Sequence, residues 1–233
     1  MKTIVYSSIF SILICLSASV YSQNLKEGID TLSTISSFEA IGEFYKMDYS
    51  GDYNNLLDML DDQMTGNDKL DFDSFNCSLF SANGDLDNQL FGRNFDNNNN
   101  DVLFTRFQPP DGYSSMAFTR MTDMGFPVGT NYSNLTFNQK LPLLHSAYFV
   151  PDGINEHGLA AGLASVPAVQ FILDPAKDTI FITRLIREIL DHAQSVDEAL
   201  EIANSFNVFD FSMRILSLPI FWWRLSQWRI IGS

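Results

Sequence analysis

A short hairpin around the second cysteine of the chain is the strongest structural signal in the sequence. Two apolar, strand-like runs at residues 78–82 and 89–95 flank a turn rich in Asn, Gly and Asp, a composition typical of β-hairpins. Because antiparallel pairing brings the outer ends of a hairpin together, Arg93 and Asp96 should return to the neighbourhood of Cys77. A thiolate beside a guanidinium has a lowered pKa and is a better nucleophile near neutral pH. The hairpin therefore predicts a reactive site at Cys77.

Two motifs, in this order, resemble those of a known enzyme family. The first is Cys77, a short hairpin, and then Gly-Arg-Asn-Phe-Asp ending at Asp96. The second is Asp-Gly-Ile-Asn-Glu-His-Gly-Leu at residues 152–159. Together they resemble the linear-amide hydrolases of the N-terminal nucleophile (Ntn) class, the choloylglycine hydrolase and penicillin V acylase group with its acyltransferase and acid ceramidase relatives. The resemblance implies an α+β fold, a four-layer αββα sandwich of mostly antiparallel sheets.

The same resemblance implies a mechanism. The α-amine of a cleaved Cys77 would take the thiol proton, Arg93 would stabilise the thiolate and the developing negative charge, and Asp96 would orient the amine. The thiolate would attack a linear amide, and the acyl-enzyme would then pass to water without a metal or an organic cofactor. The substrate would be a small N-acyl amide, since bile salts, penicillin V, N-acyl lipids and acylated signals all contain the scissile bond.

Two further residues are predicted at the substrate side of the site. Some bile-salt hydrolase relatives place an oxyanion-binding Asn where this chain has Ser165, whose hydroxyl or backbone N–H could replace it. Asn155 could donate a hydrogen bond near the site, or it could cap a turn.

The N-terminus predicts export. Lys2 precedes an apolar run at residues 4–20, which ends in small residues at the positions that a signal peptidase inspects. The run is short for a membrane span of roughly 20 residues, which favours a signal peptide at residues 1–22 over an anchor. The exported protein would be secreted or periplasmic, and Cys77 would be its single cysteine. Such a cysteine is either a small buried hydrophobe or a nucleophile, and the return of Arg93 favours the nucleophile.

The leader, residues 23–76, is acidic and precedes the predicted nucleophile. It contains twelve Asp and Glu against three Lys. The whole chain has a net charge of −14, which argues against a nucleic-acid partner. Apolar residues at helical spacing predict two short helices within residues 36–47 and 53–64. Because the cysteine needs a free amine, the leader is predicted to be a propeptide cut between Asn76 and Cys77 by the Cys77 thiol itself. The alternative is a helical hairpin that stays attached and covers one face of the domain.

Residues 77–211 are predicted to form the N-terminal part of the Ntn-hydrolase domain. Strand signals occur at residues 102–107, 113–120, 146–150 and 159–166, with a turn at 151–153, and helix signals at 179–193 and from the capping box at 195–198 to about residue 206.

The last segment, residues 212–233, has a different composition. It contains all three Trp residues and no acidic residue. The resemblance stops at about Phe211, and the further Asn and Arg that family members carry beyond this point have no counterpart here. We expect a frameshifted or truncated end, which would leave the domain incomplete. A membrane-surface or partner-binding tail is the alternative.

Three functions remain open from the sequence. The first is a secreted amidohydrolase that cleaves a linear, non-peptide amide through an N-terminal Cys77. The second is a papain-type hydrolase that uses His145 or His157, although the local signature of a papain nucleophile is absent. The third is a catalytically inactive scaffold or secreted binding protein, which the missing Asn and Arg would favour. Contact with a membrane is expected only through the signal peptide or the tail.

Overall fold

A computed structural model describes most of the chain. The described residues are 30–42, 44–64, 76–82, 90–96, 101–164, 173–209, 221–224 and 227–230. The predicted signal peptide and the predicted oxyanion residue Ser165 lie outside them. None of the helices in these ranges is long and apolar enough to cross a membrane.

The described residues contain both strands and helices. The strands are β1 Glu39–Ile41, β2 Phe44–Ser50, β3 Asn76–Ala82, β4 Leu90–Asp96, β5 Val102–Gln108, β6 Ser115–Arg120, β7 Asp152–Asn155, β8 Leu159–Gly162, β9 Thr179–Phe181, β10 Asn207–Phe209, β11 Phe221–Arg224 and β12 Gln227–Ile230. The helices are α1 at residues 30–36, α2 Asn54–Met64, α3 Phe137–Lys140, α4 Ile182–His192 and α5 Val196–Ser205. Short 3₁₀ helices occur at Met121–Met124, Tyr132–Asn134 and Leu141–Ala147.

The described strands form one large sheet and two strand pairs. The main sheet has the order β1-β2-β5-β6-β7-β8-β11-β12, and its neighbouring strands are antiparallel except β2 and β5. Strands β3 and β4 form a separate hairpin, and β9 pairs in parallel with β10. Part of the predicted tail, residues 212–233, forms β11 and β12, which extend the main sheet beyond β8.

Helix α4 packs on one face of the main sheet, and the β3–β4 hairpin packs on part of the other. A Cβ atom at Gly153 of β7 would meet Leu190 of α4, whereas one at Gly162 of β8 would meet Leu79 of β3. Asp152 pairs with Gly162, and the next pair along the ladder contains Gly153. Since successive residues of a strand face opposite sides of a sheet, the two contacts lie on opposite faces. The described residues therefore form helix, sheet and hairpin layers of an α+β fold.

The helical pattern predicted at residues 179–193 is confirmed for α4, although the first three residues form β9. Its apolar stripe, Leu185, Ile186, Ile189 and Leu190, is fully buried. Each such side chain contributes about 1.5–3 kcal/mol to stability. The predicted cap of α5 is also confirmed, because the Glu198 amide donates to Ser195 Oγ at 3.3 Å.

The helix predicted at residues 36–47 is wrong. α1 ends at residue 36, and β1 and β2 follow it. Along β2 the side chains of Met47 and Tyr49 are buried, whereas Lys46 and Asp48 are exposed. This alternation has the two-residue period of a strand. The strand forms by pairing with β5, which is distant in sequence. The second predicted leader helix, at residues 53–64, is confirmed as α2.

The strand predicted at residues 146–150 is also wrong. The chain forms the 3₁₀ helix Leu141–Ala147 there, and the amides of Tyr148 and Phe149 both donate to the His145 carbonyl. The run is buried as expected, but burial alone does not distinguish a strand from a helical turn. The turn predicted at residues 151–153 is displaced, because β7 begins at Asp152 and the chain reverses before Gly158, whose φ is 73°.

Candidate active site

The β3–β4 hairpin has the antiparallel pairing that the sequence predicts. Cys77 is opposite Phe95, and Leu79 is opposite Arg93. Backbone positions 77, 79, 93 and 95 therefore share one face of the hairpin. Diagonal neighbours on such a face are about 7–8 Å apart, which is within the reach of a long side chain. The register thus brings position 93 close to position 77.

Asp96 occupies a different place in the hairpin. It pairs with Asn76, the residue before the predicted nucleophile. The backbone of position 96 is therefore beside the Asn76–Cys77 bond, whose cleavage would free the cysteine amine. This register fits the predicted role of Asp96, which stays a prediction.

The side chain of Arg93 is held by a buried carboxylate that sequence reasoning did not assign to the site. Arg93 Nη1 donates to Asp152 Oδ2 at 2.5 Å and to the Pro151 carbonyl at 3.0 Å. Both charged side chains are almost fully buried, with 5% and 6% exposure. The guanidinium carbon also lies 5.6 Å from the centre of the Phe118 ring. The two sequence motifs are thus joined by an ion pair, since Asp152 opens the second motif.

Burial also sets the charge state of this carboxyl group. It raises the pKa of Asp152 to about 6, although the charge and hydrogen bond of Arg93 act in the opposite direction. Asp152 is therefore mainly ionised at pH 7 and takes up a proton near pH 6. Protonation removes the negative partner of Arg93, so the ion pair weakens on the acid side of neutrality.

The raised pKa of Asp152 predicts how stability changes with pH. The folded-state pKa, about 6, lies above the value of about 3.9 expected in the unfolded chain, so the folded protein binds more protons between these values. The contribution of Asp152 to stability should fall by up to about 3 kcal/mol as pH rises from about 4 to about 6. Urea unfolding across this range should show the fall in the wild type relative to Asp152→Asn. Parallel curves for the two proteins would contradict it.

A glycine permits the hairpin to approach the main sheet. A Cβ atom at Gly162 would lie 2.7 Å from Leu79 Cδ2, 3.2 Å from Asp152 Cβ and 3.7 Å from Arg93 Nη1. The first distance is shorter than a normal contact, so a side chain at this position would displace Leu79. The close contact of β3 with β8 therefore lies next to the Arg93–Asp152 ion pair.

The substrate-binding role predicted for Asn155 is corrected by its contacts. Its Nδ2 donates to the carbonyls of Leu190 at 3.1 Å and Ala193 at 2.7 Å. Its Oδ1 accepts hydrogen bonds from the amides of His157 and Leu159, each at 3.1 Å. Both N–H groups are used, and none is left for an oxyanion. Asn155 instead caps the turn between β7 and β8 and joins it to the end of α4, as the alternative prediction had it.

The two histidines of the papain-type hypothesis find no support in their surroundings. His157 lies in the turn at the far end of β7 from Asp152, and its ring packs edge-on against Tyr113 with 4.4 Å between ring centres. His145 lies in the 3₁₀ helix Leu141–Ala147, and burial lowers its pKa. A lowered pKa keeps His145 neutral, whereas a thiolate–imidazolium pair needs a protonated ring.

A comparison with known protein families agrees with the family that the two sequence motifs predict. Residues 77–227 match the family of linear amide C–N hydrolases, choloylglycine hydrolase family, so the match continues beyond Phe211, where the resemblance was expected to stop. No curated protein matches the chain significantly.

Two solved structures are similar to the chain in part. Penicillin V acylase from Agrobacterium tumefaciens has 18% sequence identity and a TM-score of 0.31, with 49% of this chain and 27% of that chain covered. A variant of conjugated bile acid hydrolase from Clostridium perfringens has 16% identity and a TM-score of 0.32, with 66% and 38% covered. The chain thus spans less than two fifths of the length of either protein. Because the family match covers well over half of this sequence, the chain belongs to the choloylglycine hydrolase family of linear amide C–N hydrolases.

Proposed function

We propose that this protein is an exported amidohydrolase, secreted or periplasmic, that cleaves a small N-acyl amide through an N-terminal Cys77. The observation that carries the proposal is the buried Arg93–Asp152 pair, which holds a cation on the hairpin face shared with position 77. Membership of the family supplies the reaction class. The two together favour a thiol nucleophile whose negative charge is stabilised by Arg93.

The first step is cleavage of the precursor. The Cys77 thiol attacks the Asn76 carbonyl, and the acyl group moves from nitrogen to sulfur. Water then hydrolyses the thioester, which releases the Asn76 carboxylate, the thiol and the free α-amine of Cys77. Support for this step comes from the register, because Asp96 pairs with Asn76 at the bond to be cut.

Turnover then uses the amine and the thiol together. The amine, with an ordinary pKa of about 7.7–8.0, takes the thiol proton, and the thiolate attacks the substrate carbonyl. The amine returns the proton to the leaving nitrogen, so that the amine product departs and an acyl thioester remains. Water attacks this thioester and gives a proton to the Cys77 amine. The C–S bond then breaks, the acid leaves, and the amine returns the proton to the Cys77 thiolate. Arg93 stabilises the negative charge on sulfur, and no metal or organic cofactor enters the scheme.

The precursor step predicts a new N-terminus. Purified protein should begin at Cys77, as read by N-terminal sequencing and by intact mass under denaturing conditions. Cys77→Ala should keep the Asn76–Cys77 bond intact, because the variant has no thiol to attack the carbonyl. Cys77→Ser is the matched variant that retains a weaker nucleophile, and it should be cut more slowly.

Two results would contradict the proposal. Wild-type protein with an intact Asn76–Cys77 bond would lack the general base, and the inactive-scaffold hypothesis would then be preferred. Cleaved protein that forms no acyl-enzyme adduct with any N-acyl amide, as followed by mass spectrometry, would separate processing from catalysis and exclude the amidase.

A further inference from the structure

The interior between α4 and the main sheet contains polar atoms that no described residue satisfies. Thr105 Oγ1, Thr183 Oγ1 and the Nε and Nη1 atoms of Arg187 have no hydrogen-bond partner among the described residues. Arg187 is fully buried, and the two threonines are 1% and 6% exposed. A buried polar group without a partner lowers stability, because it loses the hydrogen bonds that water gives it in the unfolded chain. These atoms therefore need a partner that is not a protein group.

Arg187 places its guanidinium over the first part of β6. Its Nη2 donates to Ser115 Oγ at 2.5 Å, and its central carbon lies 4.5 Å from the ring centre of Phe107. Ser115 and Phe107 are opposite each other in the β5–β6 ladder. The guanidinium thus lies on the helix-facing side of these two strands.

Thr105 is the neighbouring helix-facing residue of β5. It precedes Phe107 by two positions, so both side chains point to the same side of the sheet. Its partner in the ladder is Ala117, which lies two positions after Ser115. Because Thr105 and Ala117 are both small, this row fills less of the space beneath α4 than the row that contains Phe107.

The two ends of α4 show in which direction the helix crosses the sheet. At its C-terminal end, the Asp191 carbonyl accepts a hydrogen bond from the Tyr113 amide at 2.9 Å, next to the start of β6. Before its N-terminal end, Phe181 stacks on Tyr148 with 5.7 Å between ring centres. The carbonyl two residues before Tyr148 accepts a hydrogen bond from Thr119 Oγ1, near the end of β6. Helix α4 therefore runs from the end of β6 towards its start.

This direction brings Thr183 to the level of Thr105. Thr183 lies one helical turn before Arg187, so both side chains are on the face of α4 that meets the sheet. Relative to Arg187, Thr183 is displaced towards the end of β6. Relative to Phe107, Thr105 is displaced in the same direction. Two hydroxyl groups and the free N–H groups of a guanidinium thus converge between β5 and α4.

We propose that a buried water site lies between β5 and α4, bounded by Thr105, Thr183 and Arg187. The water accepts a hydrogen bond from the guanidinium and donates one to each hydroxyl oxygen, which gives it the roughly three partners that buried waters have. Water fits better than an anion, because the Asp191 carboxylate already pairs with Arg187 at 2.6 Å. The site is independent of the chemistry at Cys77.

Two variants of the full chain test the site by the sign of their effect. Thr105→Val and Thr183→Val each replace a hydroxyl with a methyl group of similar size. If the hydroxyl binds the water, the variant removes one of its partners, and the midpoint of urea unfolding should fall by about 0.5 M. If the hydroxyl has no partner, its removal should raise the midpoint instead. An unchanged or raised midpoint in either variant would overturn the proposal.

Thr179→Val is the matched control. It makes the same replacement at an exposed position, the first residue of β9, and should shift the midpoint by less than about 0.2 M. The double variant Thr105→Val/Thr183→Val then asks whether the hydroxyls share one water. A water that has lost one partner is held less tightly, so the second change should lower the midpoint by less than it does alone. Full additivity would contradict a shared site.

A high-resolution crystal structure of the wild type gives the answer if a valine variant does not fold. It should show a water oxygen within about 3.2 Å of Thr105 Oγ1, Thr183 Oγ1 and one nitrogen of Arg187. Closure of the protein around these groups, with no solvent molecule between β5 and α4, would overturn the proposal.

Discussion

Arg93→Met is expected to destabilise the protein by about 3–5 kcal/mol and to abolish amidase activity. In the wild type, Arg93 Nη1 lies 2.5 Å from Asp152 Oδ2. The stability loss follows because the variant leaves the Asp152 carboxyl group buried without this cation. The activity loss follows from the proposed mechanism, in which the Cys77 thiolate and the developing oxyanion would lose their positive neighbour. Urea unfolding at pH 7 measures the first effect, and release of amine from N-acyl amides measures the second.

The double variant Arg93→Met/Asp152→Asn separates the two roles. Replacing the carboxylate with a neutral amide of the same shape removes the unpaired charge, so most of the lost stability should return. Activity should stay absent, because the cation is still missing. Recovery of activity in the double variant would assign Arg93 a structural role alone. A single variant as stable as the wild type would show that the buried pair does not form.

Asp191→Asn is expected to have a comparable effect on stability, about 3–5 kcal/mol, without touching the hairpin. Arg187 is fully buried, and Asp191 is its anionic partner at 2.6 Å. The guanidinium also donates to Ser115 Oγ at 2.5 Å, and its central carbon lies 4.5 Å from the ring centre of Phe107 and 5.8 Å from that of Tyr53. Its Nε and Nη1 have no hydrogen-bond partner among the described residues. The amide would remove the carboxylate that pairs with this cation.

Thermal or urea unfolding of Asp191→Asn tests this expectation. Glu201→Gln is a suitable control, because it makes the same change of charge at an exposed position of α5 and should alter stability by less than about 0.5 kcal/mol. Similar curves for the two variants would mean that the Arg187 charge is stabilised by other means.

The elements that sequence analysis predicted are those specified by local patterns. The β3–β4 hairpin has a turn signal between two apolar runs, and α4 and α5 have an apolar stripe and a Ser195 cap within one segment. Such signals need no knowledge of distant contacts, so they could be read from the sequence alone.

The missed strand β2 shows the opposite case. Phe38, Ile41, Phe44 and Tyr45 have helical spacing, and only the parallel pairing with β5 decides that this segment is extended. The two strands are separated by α2 and the whole hairpin. No local pattern in residues 36–47 reports a partner that far along the chain, so tertiary context overrides propensity here.

The carboxylate partner of Arg93 was missed for a similar reason. Asp152 was visible as the first residue of the second motif, but it lies 59 residues from Arg93. The hairpin pattern predicts that Arg93 lies near Cys77. It carries no information on which residues of the main sheet pack against the hairpin. The Gly162 position was the available signal, since a glycine in an otherwise apolar strand indicates a close approach of another chain segment.

The parallel pairing of β2 with β5 has a consequence for the lifetime of the protein if the proposed cut between Asn76 and Cys77 takes place. In the precursor, β2 and β5 belong to one polypeptide, so the two strands meet at the high effective concentration that a covalent link provides. In a two-chain form the same pairing after unfolding becomes a bimolecular event that depends on dilution. In dilute solution, a two-chain molecule that unfolds therefore rarely reassembles. Its persistence is then determined by the rate of opening rather than by an equilibrium.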